Sequence, residues 1–165
     1  MLRLLIIAHA PLASALKAVA AHIDAEAALA IEACDVTAVQ SQDDVVTDGL
    51  AALSRLGDGE VLIFTDVFGA TPCNAARRIG ERPGVRVVAG VNVPALWRAI
   101  GHRNEPIDRV AELSVSGGQQ GLVGRELGDH HLEGAGGAVH FQRVEAAAAA
   151  PDLRTGRAAV GEADI

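Results

Sequence analysis

The protein is a chain of 165 residues in which half of the positions are apolar, and its formal net charge is −7 at pH 7. This length suits one compact domain, and the apolar run of residues 4–8 is far shorter than the roughly 20 residues that a membrane-spanning helix needs. The negative charge and the 2% aromatic content argue against nucleic acid as a partner, and the absence of a signal-peptide pattern favours a cytoplasmic protein without membrane insertion.

The N-terminal segment predicts a strand followed by a helix. Residues 2–8 form an apolar run that ends at His9, and apolar residues then recur at spacings of four, three and four over residues 12–23. Pro11 is expected in the first helical turn, where its missing N–H costs nothing. Residues 28–36 alternate more weakly between apolar and polar side chains and predict a second strand.

A second helix and a third strand are predicted next. The polar residues 41–44 form a capping signal that opens a helix. Residues 61–65 form a continuous apolar run that leads into Asp66. A further helix is then expected to open at Thr71 and to continue to residue 79.

The following segment repeats the same scheme. Residues 85–91 predict a fourth strand, and residues 92–94 lead into a helix that continues through residue 100. Residues 107–114 predict one more helix, which the pair Gly117-Gly118 is expected to end. Apolar strands that alternate with helices imply a parallel sheet covered on both sides. We therefore predict an α/β fold with an open, mainly parallel β-sheet and helices on both faces.

The C-terminal segment is less regular. Residues 134–144 have the glycines and the alternation of a late strand, which would lie at the sheet edge or pair with another subunit. Residues 146–165 begin with an alanine run and contain few large apolar side chains. We therefore divide the chain into a domain of residues 1–124, an edge-strand or dimerisation segment of residues 125–145, and a flexible tail of residues 146–165.

Three residues carry the chemistry that this fold would bring together. Ligands of an open parallel sheet collect beyond the carboxyl ends of its strands, where His9 and Asp66 each close a strand and Thr71 opens a helix. A carboxylate that accepts a hydrogen bond from Nδ1 of a histidine leaves Nε2 as the nucleophile. The Thr71 hydroxyl and the N–H groups of the helix start would then hold the oxygens of a phosphoryl group. Each residue alone is more often structural: a histidine at a strand end is usually a hydrogen-bonded structural residue, Asp66 would cap a turn and Thr71 a helix. The prediction therefore rests on their coincidence.

The remaining reactive side chains do not form a competing site. Cys34 and Cys73 have neither a C-x-x-C motif nor a His/Cys cluster beside them and are predicted to be free thiols, Cys73 as a small apolar filler rather than a nucleophile. His130, His131 and His140 have no acidic or cysteine partner at ligand spacing. We therefore expect neither a metal nor a cofactor.

Three motifs, in order along the chain, resemble the mannose-type IIA family of sugar phosphotransferase systems. They are Leu-Ile-Ile-Ala-His-Ala at residues 5–10, the stretch from Val-Leu-Ile-Phe-Thr-Asp through Gly-Ala-Thr-Pro-Cys-Asn-Ala-Ala-Arg at residues 61–77, and Val-Ala-Gly-Val-Asn-Val-Pro at residues 88–94. The resemblance runs from about residue 1 to residue 124. It implies a mainly parallel sheet with helices on both faces, in a homodimer that exchanges an antiparallel edge strand.

The resemblance also implies the roles of the three site residues. His9 matches the phosphorylated histidine, Asp66 the carboxylate that orients it, and Thr71 the hydroxyl residue near the phosphate. The implied activity is that of a phosphotransferase, with the phosphorylated histidine phosphocarrier protein as donor and a IIB component as acceptor. That IIB component is expected to be a separate chain, because the residues after the IIA segment are too few for a second domain.

Two other functions stay open. The phosphotransfer subunit of dihydroxyacetone kinase shares a strand that ends in a histidine, although the run of residues 68–72 and the motif of residues 90–94 favour the sugar-transport family. A regulatory phosphoprotein would accept phosphate on His9 without taking part in sugar transport. The sequence does not name a sugar.

Overall fold

The structure is a computed structural model that describes residues 1–122. In this part of the chain, strands and α-helices alternate in the predicted order. Their bounds are β1 Arg3–His9, α1 Leu12–Ile23, β2 Ile31–Val36, α2 Gln42–Leu56, β3 Val61–Thr65, α3 Thr71–Ile79, β4 Val85–Ala89, α4 Val93–Gly101 and α5 Ile107–Gln120. The predicted late strand of residues 134–144 and the segments 125–145 and 146–165 lie outside the described residues.

The four strands form one parallel sheet in the order β2-β1-β3-β4. The central strand β1 is buried on both faces because its side chains alternate between two layers of helices. Leu4 and Ile6 pack in the cluster that α1, α4 and α5 cover, whereas Leu5 and Ile7 pack in the cluster that α2 and α3 cover. The predicted α/β fold with helices on both faces is confirmed.

Two strands are shorter than predicted, each for a local reason. A short 3₁₀ turn at Ala27–Ala30 precedes β2, and the Asp24 carboxylate starts that turn by accepting the Ala27 N–H at 2.9 Å. The second strand therefore begins at Ile31 instead of residue 28. The fourth strand ends at Ala89 because Gly90 turns the chain with φ of +84°.

Pro11 precedes α1 rather than lying in its first turn. The helix begins at Leu12, and Pro11 is the N-cap residue, whose carbonyl accepts the Ala15 N–H at 3.1 Å. The prediction was wrong by one position, because the ring constrains φ without deciding which side of the boundary the residue occupies.

The prediction that Gly117-Gly118 ends the last helix was wrong. Helix α5 continues through both glycines to Gln120. The pair is buried against α4, where a Cβ atom at Gly118 would lie 3.2 Å from Cβ of Ala95 and one at Gly117 would overlap the Arg98 side chain. These glycines therefore permit close helix packing instead of terminating a helix.

Among residues 1–122, no helix combines the length and the apolar character that crossing a membrane would require.

Candidate functional site

His9 and Asp66 meet at the carboxyl edge of the sheet. His9 is the last residue of β1, and Asp66 directly follows β3, the strand that pairs with β1 in parallel. The register pairs Ile7 with Thr65, so the two residues leave the sheet side by side. The His9 side chain is 50% exposed and the Asp66 side chain only 10%. The His9 imidazole is therefore accessible to solvent, whereas the Asp66 carboxylate is largely buried.

Three hydrogen bonds hold the Asp66 carboxylate. Oδ2 lies 2.7 Å from Nδ1 of His9 and also accepts the His9 backbone N–H at 2.9 Å. Oδ1 accepts the Val67 backbone N–H at 2.7 Å. Because an ionised carboxylate only accepts, Nδ1 carries the proton in this pair and Nε2 keeps its lone pair. The arrangement leaves Nε2 as the ring nitrogen of His9 with a free lone pair.

The same contacts determine the charge of Asp66. Burial is the largest single influence and raises the pKa of Asp66. The hydrogen bonds from the backbone N–H groups of His9 and Val67, together with the His9 ring, lower the pKa by more in total. The net result is a pKa below the ordinary value of 3.8. Asp66 is therefore ionised at neutral pH.

Thr71 is the first residue of α3, at the same edge of the sheet. The N-cap residue Ala70 has no side chain that could cap the helix, and Pro72 has no N–H. The N–H groups of Thr71 and Cys73 precede the first helical hydrogen bond, from the Asn74 N–H to the Ala70 carbonyl at 2.9 Å. Within the described residues, no hydrogen bond joins Thr71 to His9 or Asp66, so the structure pairs the latter two and places Thr71 on the neighbouring helix.

The other three helices that begin at this edge already have side-chain caps. The Asp35 carboxylate accepts the Ser14 N–H in the first turn of α1 at 3.1 Å. Ser41 caps α2 in a box with Asp44, and Asn92 caps α4 by accepting the Ala95 N–H at 2.9 Å. Sequence reasoning found the Ser41 cap but missed Asp35, because that cap comes from another strand. In the part of the chain described, α3 is the one helix start at this edge without such a cap.

A second histidine, His102, makes a similar hydrogen-bonded pair with a carboxylate in a different setting. Its Nδ1 lies 2.7 Å from Oε1 of Glu105, whose side chain is 43% exposed. This pair lies at the opposite edge of the sheet, next to Arg103, whose carbonyl accepts the Leu2 N–H. A histidine–carboxylate pair alone is thus not distinctive; burial of the carboxylate and its backbone donors distinguish His9 from His102.

Two large apolar side chains stand in solvent beside the site. Val67 and Phe68 follow Asp66 directly and are 59% and 77% exposed. In the sequence, Phe68 counted only as part of the run of residues 68–72 that resembles the family, and neither side chain was assigned a contact role. Their exposure beside a half-exposed histidine is the kind of surface that contacts another macromolecule.

The described part of the chain contains no cluster of metal-ligand side chains and two buried thiols. Within residues 1–122, no group of three or more His, Cys, Asp or Glu side chains could hold a metal ion, and His130, His131 and His140 lie outside this range. Cys34 and Cys73 are buried free thiols. Burial is the main cause that raises the pKa of Cys34, which makes a reactive thiolate unfavourable there.

Known proteins share the sequence pattern and the fold of this chain. The chain matches the family described as EIIA-man, PTS system fructose IIA component, over residues 3–111, which is more than half of the chain. No curated protein matches it. Among solved structures, a mannose/sorbose specific IIA subunit of a phosphotransferase system from Enterococcus faecalis is similar at 27% identity with a TM-score of 0.68, covering 78% of this chain and 98% of that one.

Two further structures share the fold. A phosphotransferase system component EIIA from Streptococcus agalactiae has 23% identity and a TM-score of 0.66, covering 75% of this chain and 97% of that one. A PTS IIA protein associated with the fucose utilization operon of Streptococcus pneumoniae has 21% identity and a TM-score of 0.62, covering 74% and 92%. The family match and the shared architecture lead to one conclusion: the chain belongs to the EIIA-man family of IIA components of sugar phosphotransferase systems.

Proposed function

We propose that the protein carries a phosphoryl group on Nε2 of His9, which it receives from the phosphorylated histidine phosphocarrier protein and passes to a separate IIB component. The observation that carries the proposal is the 2.7 Å contact between Nδ1 of His9 and the buried carboxylate of Asp66. That contact directs the free lone pair of a half-exposed imidazole outward, where a protein partner can present its phosphate.

The transfer step follows from this arrangement. The lone pair on Nε2 of His9 attacks the phosphorus atom, the P–N bond of the donor histidine breaks, and its electron pair returns to the donor imidazole. The Nδ1 proton stays on His9, whose ring becomes a cation while it bears the phosphoryl group. The Asp66 carboxylate balances this charge. Transfer to the acceptor reverses these events.

The start of α3 would hold the oxygens of the phosphoryl group. Its Thr71 and Cys73 N–H groups carry the positive end of the helix dipole, and the Thr71 hydroxyl supplies another donor. The neighbouring exposed side chains of Val67 and Phe68 support a reaction between two proteins. A protein partner would cover this apolar surface, whereas a small substrate would leave it in contact with water.

Incubation with enzyme I, the phosphocarrier protein and labelled phosphoenolpyruvate, followed by mapping of the label, tests the proposal. We expect label on wild type and on His102→Ala, and none on His9→Ala. His102 is the matched control, because it is a partly exposed histidine with its own carboxylate partner. Label that remains on His9→Ala would rule out the assignment.

A second assay identifies the acceptor. Phosphorylated protein is mixed with purified IIB components and, separately, with the dihydroxyacetone kinase subunit that would accept its phosphate. Loss of label to a IIB component supports sugar transport, and loss to the kinase subunit supports that alternative. Retention of label against every acceptor supports a regulatory phosphoprotein.

For the whole chain we propose an IIA domain of residues 1–124, a dimerisation segment of residues 125–145 and a tail of residues 146–165. Strand β4 is an outer strand of the described sheet, and an uncovered strand edge tends to pair with another chain. A homodimer in which an antiparallel strand covers this edge would solve that problem.

A further inference from the structure

Phe68 stands in solvent at the tip of the loop that follows Asp66. Its side chain is 77% exposed, although the chain has only three phenylalanines, one tryptophan and no tyrosine. Phe64, the other phenylalanine among residues 1–122, is fully buried in the core. A single exposed apolar side chain is common on protein surfaces, so exposure alone does not mark a contact. The conformation of the loop and its distance from His9 decide what Phe68 does.

Two hydrogen bonds hold the backbone of this loop in one conformation. The Val67 carbonyl accepts the Ala70 N–H at 3.2 Å, which closes a turn with Phe68 and Gly69 at its centre. The Gly69 carbonyl accepts a hydrogen bond from Nδ2 of Asn74 at 2.9 Å. Gly69 has φ of +85°, which the third position of a type II turn requires and which glycine adopts without strain. The turn therefore presents Phe68 in an ordered position, so a partner that covers the ring loses little free energy in ordering the loop.

The same loop is tied to His9 through the Asp66 carboxylate. Oδ1 of Asp66 accepts the Val67 N–H at 2.7 Å, while Oδ2 lies 2.7 Å from Nδ1 of His9. Phe68 follows Asp66 by two residues, so their Cα atoms lie within about 7 Å of each other. Transfer brings the imidazole of the donor protein into contact with a phosphorus atom at His9. The donor surface around that imidazole therefore comes to lie beside Phe68.

We propose that Phe68 is a docking anchor for the phosphoryl donor, a protein whose phosphohistidine is bordered by an apolar depression that takes up the ring. This inference rests on the function proposed above. Aromatic side chains are enriched in the buried centres of protein interfaces, where a few residues supply most of the binding free energy. Phe68 bears no group that could act on the phosphoryl transfer, so it contributes to affinity for the donor and not to the chemical step.

Transfer kinetics of the full chain test the inference, with the purified, phosphorylated phosphocarrier protein as donor over a range of concentrations. Phe68→Ala should raise KM for the donor about 10- to 100-fold, the effect of truncating an interface anchor. The transfer rate at saturating donor should stay within about twofold of wild type, because the lost contact is equal in the bound state and in the transition state. Phe68→Trp keeps a large aromatic surface and should hold KM within about threefold of wild type.

Leu29→Ala is the matched control for the loss of an exposed apolar side chain. Leu29 is 86% exposed and lies in the 3₁₀ turn before β2, at the edge of the sheet opposite His9. Its removal should leave KM and the saturating transfer rate as in wild type. Neither Leu29 nor Phe68 is buried, so the midpoint of urea denaturation should be the same in both alanine variants and in wild type.

An unchanged KM in Phe68→Ala would overturn the inference while leaving the proposed function intact. A lower saturating rate with unchanged KM would also overturn it, because Phe68 would then act on the reaction instead of on docking. Sedimentation of the full chain examines the other occupant of this surface, a second copy of the chain. Weaker self-association of Phe68→Ala with unchanged KM would assign Phe68 to that contact and contradict the inference. A wild-type protein that takes no label on His9 overturns both proposals.

Discussion

Asp66 binds three donors at once, and its side chain is 10% exposed. Such a carboxylate has little freedom to move, so it can hold an imidazole in one orientation throughout a transfer. In Asp66→Asn the amide keeps the shape but cannot balance an imidazolium. We expect phosphorylation of His9 to slow by about 10²–10⁴-fold, the range for a positioned proton or charge partner. Phosphorylation reactions that are stopped at successive times measure this rate. An unchanged rate would mean that Asp66 is only a turn residue.

The pH dependence of stability provides an independent check on Asp66. Its pKa in the folded protein lies below the ordinary value, so its contribution is complete above the unfolded pKa and is lost as pH falls through the lower folded pKa. Wild type should exceed Asp66→Asn in free energy of unfolding by about 1–3 kcal/mol near pH 7. Urea titrations should show that the difference persists at pH 5 and shrinks only below about pH 4. A difference that is already lost at pH 5 would contradict the lowered pKa.

Thr71 is expected to act more weakly than Asp66. Thr71→Val keeps the branched shape and deletes the hydroxyl, while the N–H groups of Thr71 and Cys73 remain. The transfer rate should therefore fall about tenfold or less, the value of one modest hydrogen bond in the transition state. The same phosphorylation assay compares the two variants, and a larger loss than in Asp66→Asn would mean that their roles are reversed.

For individual residues, position along the chain was enough to predict that His9 and Asp66 lie together. His9 and Asp66 each end a strand in the sequence pattern, so a parallel sheet had to bring them to one edge. Asp35 was missed because its partner Ser14 lies 21 residues away and no local motif joins them. The exposure of Phe68 was also unpredictable, because apolar character alone does not tell whether a loop folds inward or outward.

Among the elements, glycines allow helices α4 and α5 to pack closely against each other. A Cβ atom at Gly121 would overlap the ring of Pro94, which cannot rotate away. We expect Gly121→Ala to lower the free energy of unfolding by about 1–3 kcal/mol, as overpacking does. Gly101, at the end of α4, has open space around it, so Gly101→Ala is the matched control and should be neutral or slightly stabilising. Urea denaturation compares them, and equal stabilities would show that the contact is relaxed.

The glycines also show where the sequence pattern misleads about elements. Gly117 and Gly118 read as a helix stop, because glycine is the usual residue after a helix. Both glycines instead lie where α4 approaches closely: Arg98 lies beside Gly117, and Nδ2 of Asn92 donates to the Gly118 carbonyl at 3.1 Å. A packing partner 26 residues away leaves no trace in local periodicity, whereas the capping box at Ser41 is local and was predicted correctly.

For the whole molecule, the order of elements and the parallel sheet followed from sequence, because continuous apolar strands that alternate with helices admit few other folds. The strand order β2-β1-β3-β4 could not be predicted from the sequence, because it depends on where each strand–helix–strand connection packs against the sheet. In this order β4 is an outer strand of the described sheet, and this position is the basis of the proposed dimer.

Truncation tests the proposed segments of the chain. A protein that ends at residue 144 should dimerise and accept phosphate on His9 as the full chain does, because residues 146–165 offer little apolar surface to bury. A protein that ends at residue 124 should lose dimer stability. Sedimentation at micromolar concentration and the phosphorylation assay measure both. Loss of phosphorylation in the longer of the two proteins would place the tail in the site, and a monomeric full chain would contradict the dimer.

The most direct test of the account is the nitrogen that carries the phosphate. Heteronuclear phosphorus–nitrogen NMR of the phosphorylated full chain distinguishes the two ring positions of His9. The 2.7 Å contact between Nδ1 and Asp66 predicts a phosphoryl group on Nε2, with a proton retained on Nδ1. A phosphoryl group on Nδ1 of His9, or on any other residue, would contradict the role of Asp66 and with it the proposed mechanism.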